Sequence, residues 1–188
     1  MTNERPRRLS TADERRETVL STAIGAFASR GYFGTTTTEV GKAAGISQAY
    51  VYRLFPNKES LFVAVVEHCF TRVRASLEDG AAAADSSAPE VVLTAMGDAY
   101  AKLISDNDLM LVQLHAQAAA VSEPAIRDAV RAGYARLVEY VRGASGGEER
   151  QIQEFFATGL LCHLLVSMAA DEVDAPWTRT LTAGITHY

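Results

Sequence analysis

The sequence predicts an all-α fold, and three observations carry that expectation. Apolar residues recur at helical spacing from Leu20 through Phe27, from Leu61 through Leu77, and again toward the carboxyl end. Helix-start signals precede those runs, with Thr11-x-x-Glu14 and Thr36-x-x-Glu39 both reading as capping boxes. Strand-like alternation is poorly represented in a composition of 48% hydrophobic and 22% charged residues, which is that of a soluble globular protein. At 188 residues the chain holds one large domain or two small ones, with enough core to fold independently.

The first predicted helix begins after Thr11, carries Leu20, Ala23, Ile24, Phe27 and Ala28 on one face, and ends at Gly31. From Thr36 to Phe55 the spacing predicts two short helices joined by a tight turn. Val40, Ala43 and Ala44 share a face of the first. Gly45 supplies the left-handed turn, and Ser47 caps the second. On that second helix Val51, Leu54 and Phe55 fall within about 100° of one another and form its underside. This is helix-turn-helix punctuation. The first helix is expected to cover Val40, Ile46, Val51 and Phe55, completing a three-helix core. After Pro56, Asn57 caps a fourth helix from Lys58 to about Leu77, a lever of about 30 Å at 1.5 Å per residue.

The face opposite Val51 and Phe55 is left to Gln48, Ala49, Tyr50 and Arg53, the residues expected to address bases. Arg makes bidentate contacts with guanine and Gln with adenine, Tyr reaches a phosphate or a thymine methyl, and a small Ala49 permits close approach. Thr36, Thr37, Thr38, Tyr52 and Lys58 are expected to hold phosphates, Lys58 with help from the positive end of its helix. Charge divides in the same sense: residues 1–58 hold nine Lys/Arg against five Asp/Glu, a net +4, whereas residues 59–188 hold nine against eighteen, a net −9. A basic head on an acidic body orients itself toward a polyanion. Arg5, Arg7 and Arg8 form a basic arm that is either a solvated tail or a phosphate contact. No apolar signal-peptide core follows them, so a cytoplasmic protein is expected.

Gly31-Tyr32-x-x-Thr35-Thr36, Ala43-Ala44-Gly45-Ile46-Ser47 and Val51-Tyr52-x-x-Phe55-x-Asn57-Lys58-Glu59-x-Leu61 together resemble the amino-terminal DNA-binding domain of the tetracycline-repressor (TetR) family. The resemblance covers roughly residues 14–66. Two positions depart from the family pattern: Gly41 stands where Ala is usual, and Tyr50 where a small Thr or Ser is usual. The resemblance implies a DNA-binding domain over residues 1–56, a ligand-binding and dimerisation domain over residues 57–188 joined to it by the fourth helix, and an effector pocket in the latter. It also implies dimerisation through the last two long helices.

Residues 80–89 read as a loop or a frayed helix end. Beyond them helices are expected at about 89–105, 108–121, 123–143, 148–170 and 175–186, with Pro124 and Pro176 in first turns that tolerate a missing N–H. Phe155–Ala170 is apolar almost all round, yet its sixteen residues fall short of the ~20 that cross a bilayer, so protein must cover it and no membrane partner is expected. Either the chain's own core covers it, or the same helix of a second copy does. A palindromic operator needs two reading heads, which favours a homodimer built on Phe155, Gly159, Cys162, His163, Val166, Trp177 and Leu181, with Ile185 on the last helix. Met96, Tyr100, Leu103, Met110, Leu114, His115, Phe156 and Met168 are the candidate walls of a pocket for a small apolar or aromatic effector, or else solid core.

No phosphate-binding glycine loop, Cys-x-x-Cys pair, His-x-x-x-His pair or Gly-x-Ser-x-Gly elbow is present, so no enzyme, metal or cofactor is expected. Cys69 and Cys162 lie in apolar helical patterns, which fits a reducing compartment. The expected function is a DNA-binding transcriptional regulator, a repressor of a palindromic operator released by a small molecule. Activation in place of repression stays open. The alternatives are a helical ligand-binding or scaffold protein that does not bind DNA, and a thiol or metal sensor on the same fold.

Overall fold

The computed structural model describes residues 12–105 and 107–185. The Thr11 cap and the basic arm of Arg5, Arg7 and Arg8 lie outside them. The described residues form α1 (Ala12–Gly34), α2 (Thr37–Ala43), α3 (Gln48–Leu54), α4 (Lys58–Ala82), α5 (Pro89–Ile104), α6 (Asn107–Ala119), α7 (Pro124–Ser145), α8 (Glu149–Ser167) and α9 (Pro176–Thr182), with a 3₁₀ turn at Ala170–Glu172. No strand occurs among them.

Local chemistry sets these boundaries. At α2, the Glu39 N–H donates to Thr36 Oγ1 (3.3 Å) while Glu39 Oε2 accepts from the Thr36 N–H (2.8 Å), and Arg30 braces the same carboxylate at 2.8 Å. Gly45 turns the chain at φ 67°, a conformation that a side chain would strain. Ser47 caps α3 through the Tyr50 N–H (3.2 Å), and Asn57 caps α4 through the Ser60 N–H (2.7 Å). Phe27, Val40, Val51 and Phe55 are then almost wholly buried as one three-helix core. The edge-to-face pair Phe27–Phe62, with centroids 4.7 Å apart, welds that core to α4. Within the body α4 is central, packing on α5 and α7, while α6 packs chiefly along α1 and so joins head to body.

Several boundaries differ from expectation. Helical geometry breaks at Gly31 (φ 66°) as expected, but a further turn carries the helix to Gly34. Ala43 is exposed, because the inward face of the seven-residue α2 is Thr37, Val40 and Gly41. α4 runs to Ala82 instead of Leu77, since Ala81 and Ala82 favour helix and Gly80 is buried against α5. α8 stops at Ser167, where Ala169 takes a left-handed conformation (φ 47°), and α9 stops at Thr182, just before Gly184 at φ 78°.

Candidate functional site

The underside of α3 is fixed by Val51 and by the following Phe55, which leaves Gln48, Ala49 and Arg53 exposed and Tyr50 half-buried on one surface. α1 adds two cations that sequence reasoning passed over. Arg15 donates through Nη1 to the Tyr50 hydroxyl (3.0 Å), and Arg16 donates to the Leu54 carbonyl (3.2 Å) with its guanidinium 4.3 Å from the Phe55 ring centroid. Arg53 lies 5.8 Å from the Tyr50 centroid, so Tyr50 is held between two guanidiniums. The available signal was an Arg-Arg pair one turn before the buried Val19 and Leu20, at the solvated start of α1.

Among the expected phosphate holders, Thr36, Thr38 and Tyr52 are exposed, although the Thr36 hydroxyl is also the cap of α2. Two others are corrected by the geometry. Thr37 is only 5% exposed and works as an internal link: Gln48 Nε2 donates to its hydroxyl (3.0 Å), which donates onward to the Tyr52 hydroxyl (3.1 Å). Lys58 is half-buried and turned inward. Its ammonium donates to the carbonyls of Tyr32 (2.9 Å) and Thr35 (3.3 Å) and sits 4.6 Å from the Tyr32 ring centroid.

The body encloses a partly open cavity of about 450 Å³, within the range of small-molecule sites. Its walls come from α4 (Val73, Leu77), α5 (Leu93, Tyr100), α7 (Tyr134, Leu137) and α8 (Phe155, Phe156). Of the residues expected there, Tyr100 and Phe156 line it. The other six do not: Met96 and Met110 are fully buried in core, Leu103 and Leu114 are half-buried away from the lining, His115 is turned toward α1, and Met168 is exposed at the end of α8. α8 also presents a different face from the one expected at a dimer interface. Phe155, Gly159, Cys162 and His163 point inward and line the cavity, while Val166 and Leu181 are half-buried and Trp177 is exposed. The outward stripe is Ala157, Leu164 and Met168, flanked by Leu160, which is 47% exposed and also lines the cavity, and continued by Val173 and Trp177.

A polar chain crosses the cavity's inner end. Gln113 Nε2 donates to the Tyr100 hydroxyl (3.3 Å), which lies 2.5 Å from His163 Nε2. His163 is only 3% exposed, and its Nδ1 has no hydrogen-bond partner. Burial holds the imidazole pKa down at about 4 and raises that of the Tyr100 phenol, so both are neutral at pH 7. Burial likewise raises the Cys162 thiol and pushes Cys69 up to about 12, leaving both as thiols, the form that reacts poorly. Among the described residues no group of three or more His, Cys, Asp and Glu is placed to hold a metal, and no helix is long and apolar enough to cross a membrane.

Residues 19–65, which span the core of α1, the turn and the start of α4, match the family model of bacterial regulatory proteins, tetR family. Over these residues the chain is similar to the TetR family. Its likeness to curated proteins covers only part of the chain. It is 38% identical over 74 residues to the nucleoid occlusion factor SlmA of Haemophilus influenzae, covering 37% of this chain and 34% of that one. It is 34% identical over 55 residues to IcaR, the negative transcriptional regulator of the biofilm operon icaADBC in Staphylococcus epidermidis, covering 29% and 30%. The chain therefore spans about a third of the length of these curated relatives. The TetR fold itself extends through the body. A TetR-family regulator from Agrobacterium tumefaciens superposes with a TM-score of 0.69 over 92% of this chain and 94% of that one at 17% identity. FadR of Bacillus subtilis, solved with stearoyl-CoA, does so with 0.66 over 89% and 95%, also at 17%.

Proposed function

We propose that this chain is a DNA-binding transcriptional regulator that grips a palindromic operator as a homodimer and represses until a small molecule enters the body. The head, residues 1–56, reads DNA; the body, residues 57–188, binds the effector and the second copy. The observation that supports this most is the exposed surface of α3, a short helix anchored by Val51 and Phe55 with Gln48, Ala49, Tyr50 and Arg53 turned outward. In this reading those four face base edges in the major groove, with Arg15 behind Tyr50. Thr36, Thr38, Tyr52 and Arg16 hold the backbone. Two heads one helical turn apart, ~34–36 Å or a multiple, match successive half-sites. Ligand in the cavity favours a separation of heads that no longer fits, and DNA affinity falls.

Selection of bound sequences from random duplex DNA tests the reading. A two-fold symmetric consensus, with affinity falling steeply as salt rises, is the expected outcome. Absence of any salt-dependent DNA affinity would return the helical ligand-binding alternative to first place.

A further inference from the structure

The effector class is legible in the cavity itself, an inference that rests on the cavity being the effector site. Its two ends differ in chemistry. One end holds the buried Gln113 and His163 and the half-buried Tyr100. The Gln113 amide donates to the phenol oxygen, and the arrangement that leaves fewest groups unpaired has the phenol donate its own proton to the lone pair on His163 Nε2. A neutral imidazole that accepts at Nε2 carries its hydrogen on Nδ1. That N–H is the buried polar group without a partner, and an unpaired buried donor is destabilising until a ligand or water satisfies it. The inner end therefore asks for a hydrogen-bond acceptor.

The outer end is acidic. Glu90, Asp98 and Glu154 are the charged residues of the described lining, and no Lys or Arg is among them. Glu154 is paired with Arg150 at 2.9 Å, but Glu90 and Asp98 have no ion-pair partner among the described residues. Asp98 is half-buried, where an approaching charge is screened less than at a free surface. The rest of the lining is largely aromatic and aliphatic, with Phe155 and Phe156 packed edge to face (centroids 5.4 Å apart) and Tyr134 beside Phe156, an apolar wall for an apolar body.

We propose that the cavity takes a lipophilic cation: an aromatic or aliphatic body with one hydrogen-bond acceptor that reaches His163 Nδ1–H and a protonated amine that lies at Asp98 and Glu90. An organic anion of the same size is rejected, because its charge would meet carboxylates with no basic side chain to receive it.

Four benzophenone-sized probes separate these features by isothermal titration calorimetry on the full chain without DNA. 4-(Aminomethyl)benzophenone supplies amine and ketone, 4-methylbenzophenone lacks the charge, 4-benzoylbenzoic acid reverses it, and 4-benzylbenzylamine lacks the acceptor. The amino ketone is expected to bind at least tenfold tighter than the neutral ketone and the methylene analogue, with the acid not bound. Asp98→Asn combined with Glu90→Gln should erase the advantage of the amine, and His163→Phe the advantage of the ketone. Binding of the acid as tight as that of the amine, survival of the amine preference in Asp98→Asn/Glu90→Gln, or no binding by any probe would overturn the proposal. A gel shift on the selected operator keeps the two readings apart. An amino ketone that binds as expected but leaves the DNA complex intact would preserve the ligand class and sink the effector role.

Discussion

His115 Nε2 lies 3.1 Å from the carbonyl oxygen of Ala28, a polar tie between α6 and the last regular turn of α1 within their packed interface. The same imidazole fills the space beside Gly31, where a Cβ would come within 2.6 Å of Nδ1. Gln113, two residues earlier on α6, donates to Tyr100 at the inner end of the cavity. One helix therefore touches both the cavity and the base of the three-helix head. His115→Ala should cost about 1–2 kcal/mol, the worth of a hydrogen bond plus a small cavity. It should lower the melting temperature by about 2–8 °C in a domain pair of this size. Ligand-induced loss of operator affinity should shrink several-fold in the same variant. Thermal melts and gel shifts with and without ligand check both, and unaltered coupling would mean that α4 alone carries the signal.

Arg53 and Lys58 are both cations of the head, but their surroundings separate them. Arg53 is exposed beside Tyr50, whereas the Lys58 ammonium is spent on the Tyr32 and Thr35 carbonyls. Arg53→Ala should leave folding intact, relax discrimination at one base pair and cost about 1–3 kcal/mol of operator binding. Lys58→Ala should instead lower stability by about 1–3 kcal/mol, because two carbonyls and the face of Tyr32 lose their partner. Urea titration and binding to single-base operator variants separate the two effects. Equal specificity losses with equal stability would refute this division.

His163 makes stability depend on pH. Its folded pKa is about 4 against an ordinary 6.5, so between those values the unfolded chain binds the extra proton and the folded chain does not. Stability from this site is complete above pH 6.5, declines as pH falls through the window, and falls no further below pH 4. Its near neighbours stay neutral there, since burial raises both the Tyr100 phenol and the Cys162 thiol. Between pH 7 and pH 5 the wild type should lose about 2 kcal/mol more than His163→Leu does. Urea unfolding of both proteins at the two pH values measures the difference, and parallel losses would exclude His163 as the source.

The reading head was legible because its determinants are local. Thr36 with Glu39, Gly45, Ser47 and Asn57 each fix a boundary through hydrogen bonds reaching three residues or fewer, or through one backbone angle. The fates of Thr37 and Lys58 were not, since each depends on groups far along the chain: Gln48 and Tyr52 for the first, Tyr32 and Thr35 for the second. The cavity was harder still. Met96 and Met110 look like adaptable pocket wall in a list of residues, yet both are wholly buried in packing, while the polar lining that gives the cavity its chemistry, Gln113 and His163, lies on helices whose inward face periodicity does not identify.

α8 shows that ambiguity most clearly and allows it to be tested. A helix apolar all round offers two faces about 180° apart, and spacing alone cannot say which one meets the chain's own core. Here Phe155, Gly159, Cys162 and His163 turn in, so a second copy would meet Leu164, 47% exposed, beside the equally exposed Leu160 at the border with the cavity, with Met168, Val173 and Trp177 extending the patch. Leu164→Glu should therefore yield a folded monomer, because a half-exposed position accommodates a carboxylate in the single chain but not facing its symmetry mate. Cys162→Ser, on the inward face, should remain dimeric. The monomer should lose operator binding by orders of magnitude, since one head holds one half-site. Light scattering after gel filtration reads the mass, circular dichroism the fold and gel shift the affinity. A Leu164→Glu protein that stays dimeric would place the interface elsewhere on the body.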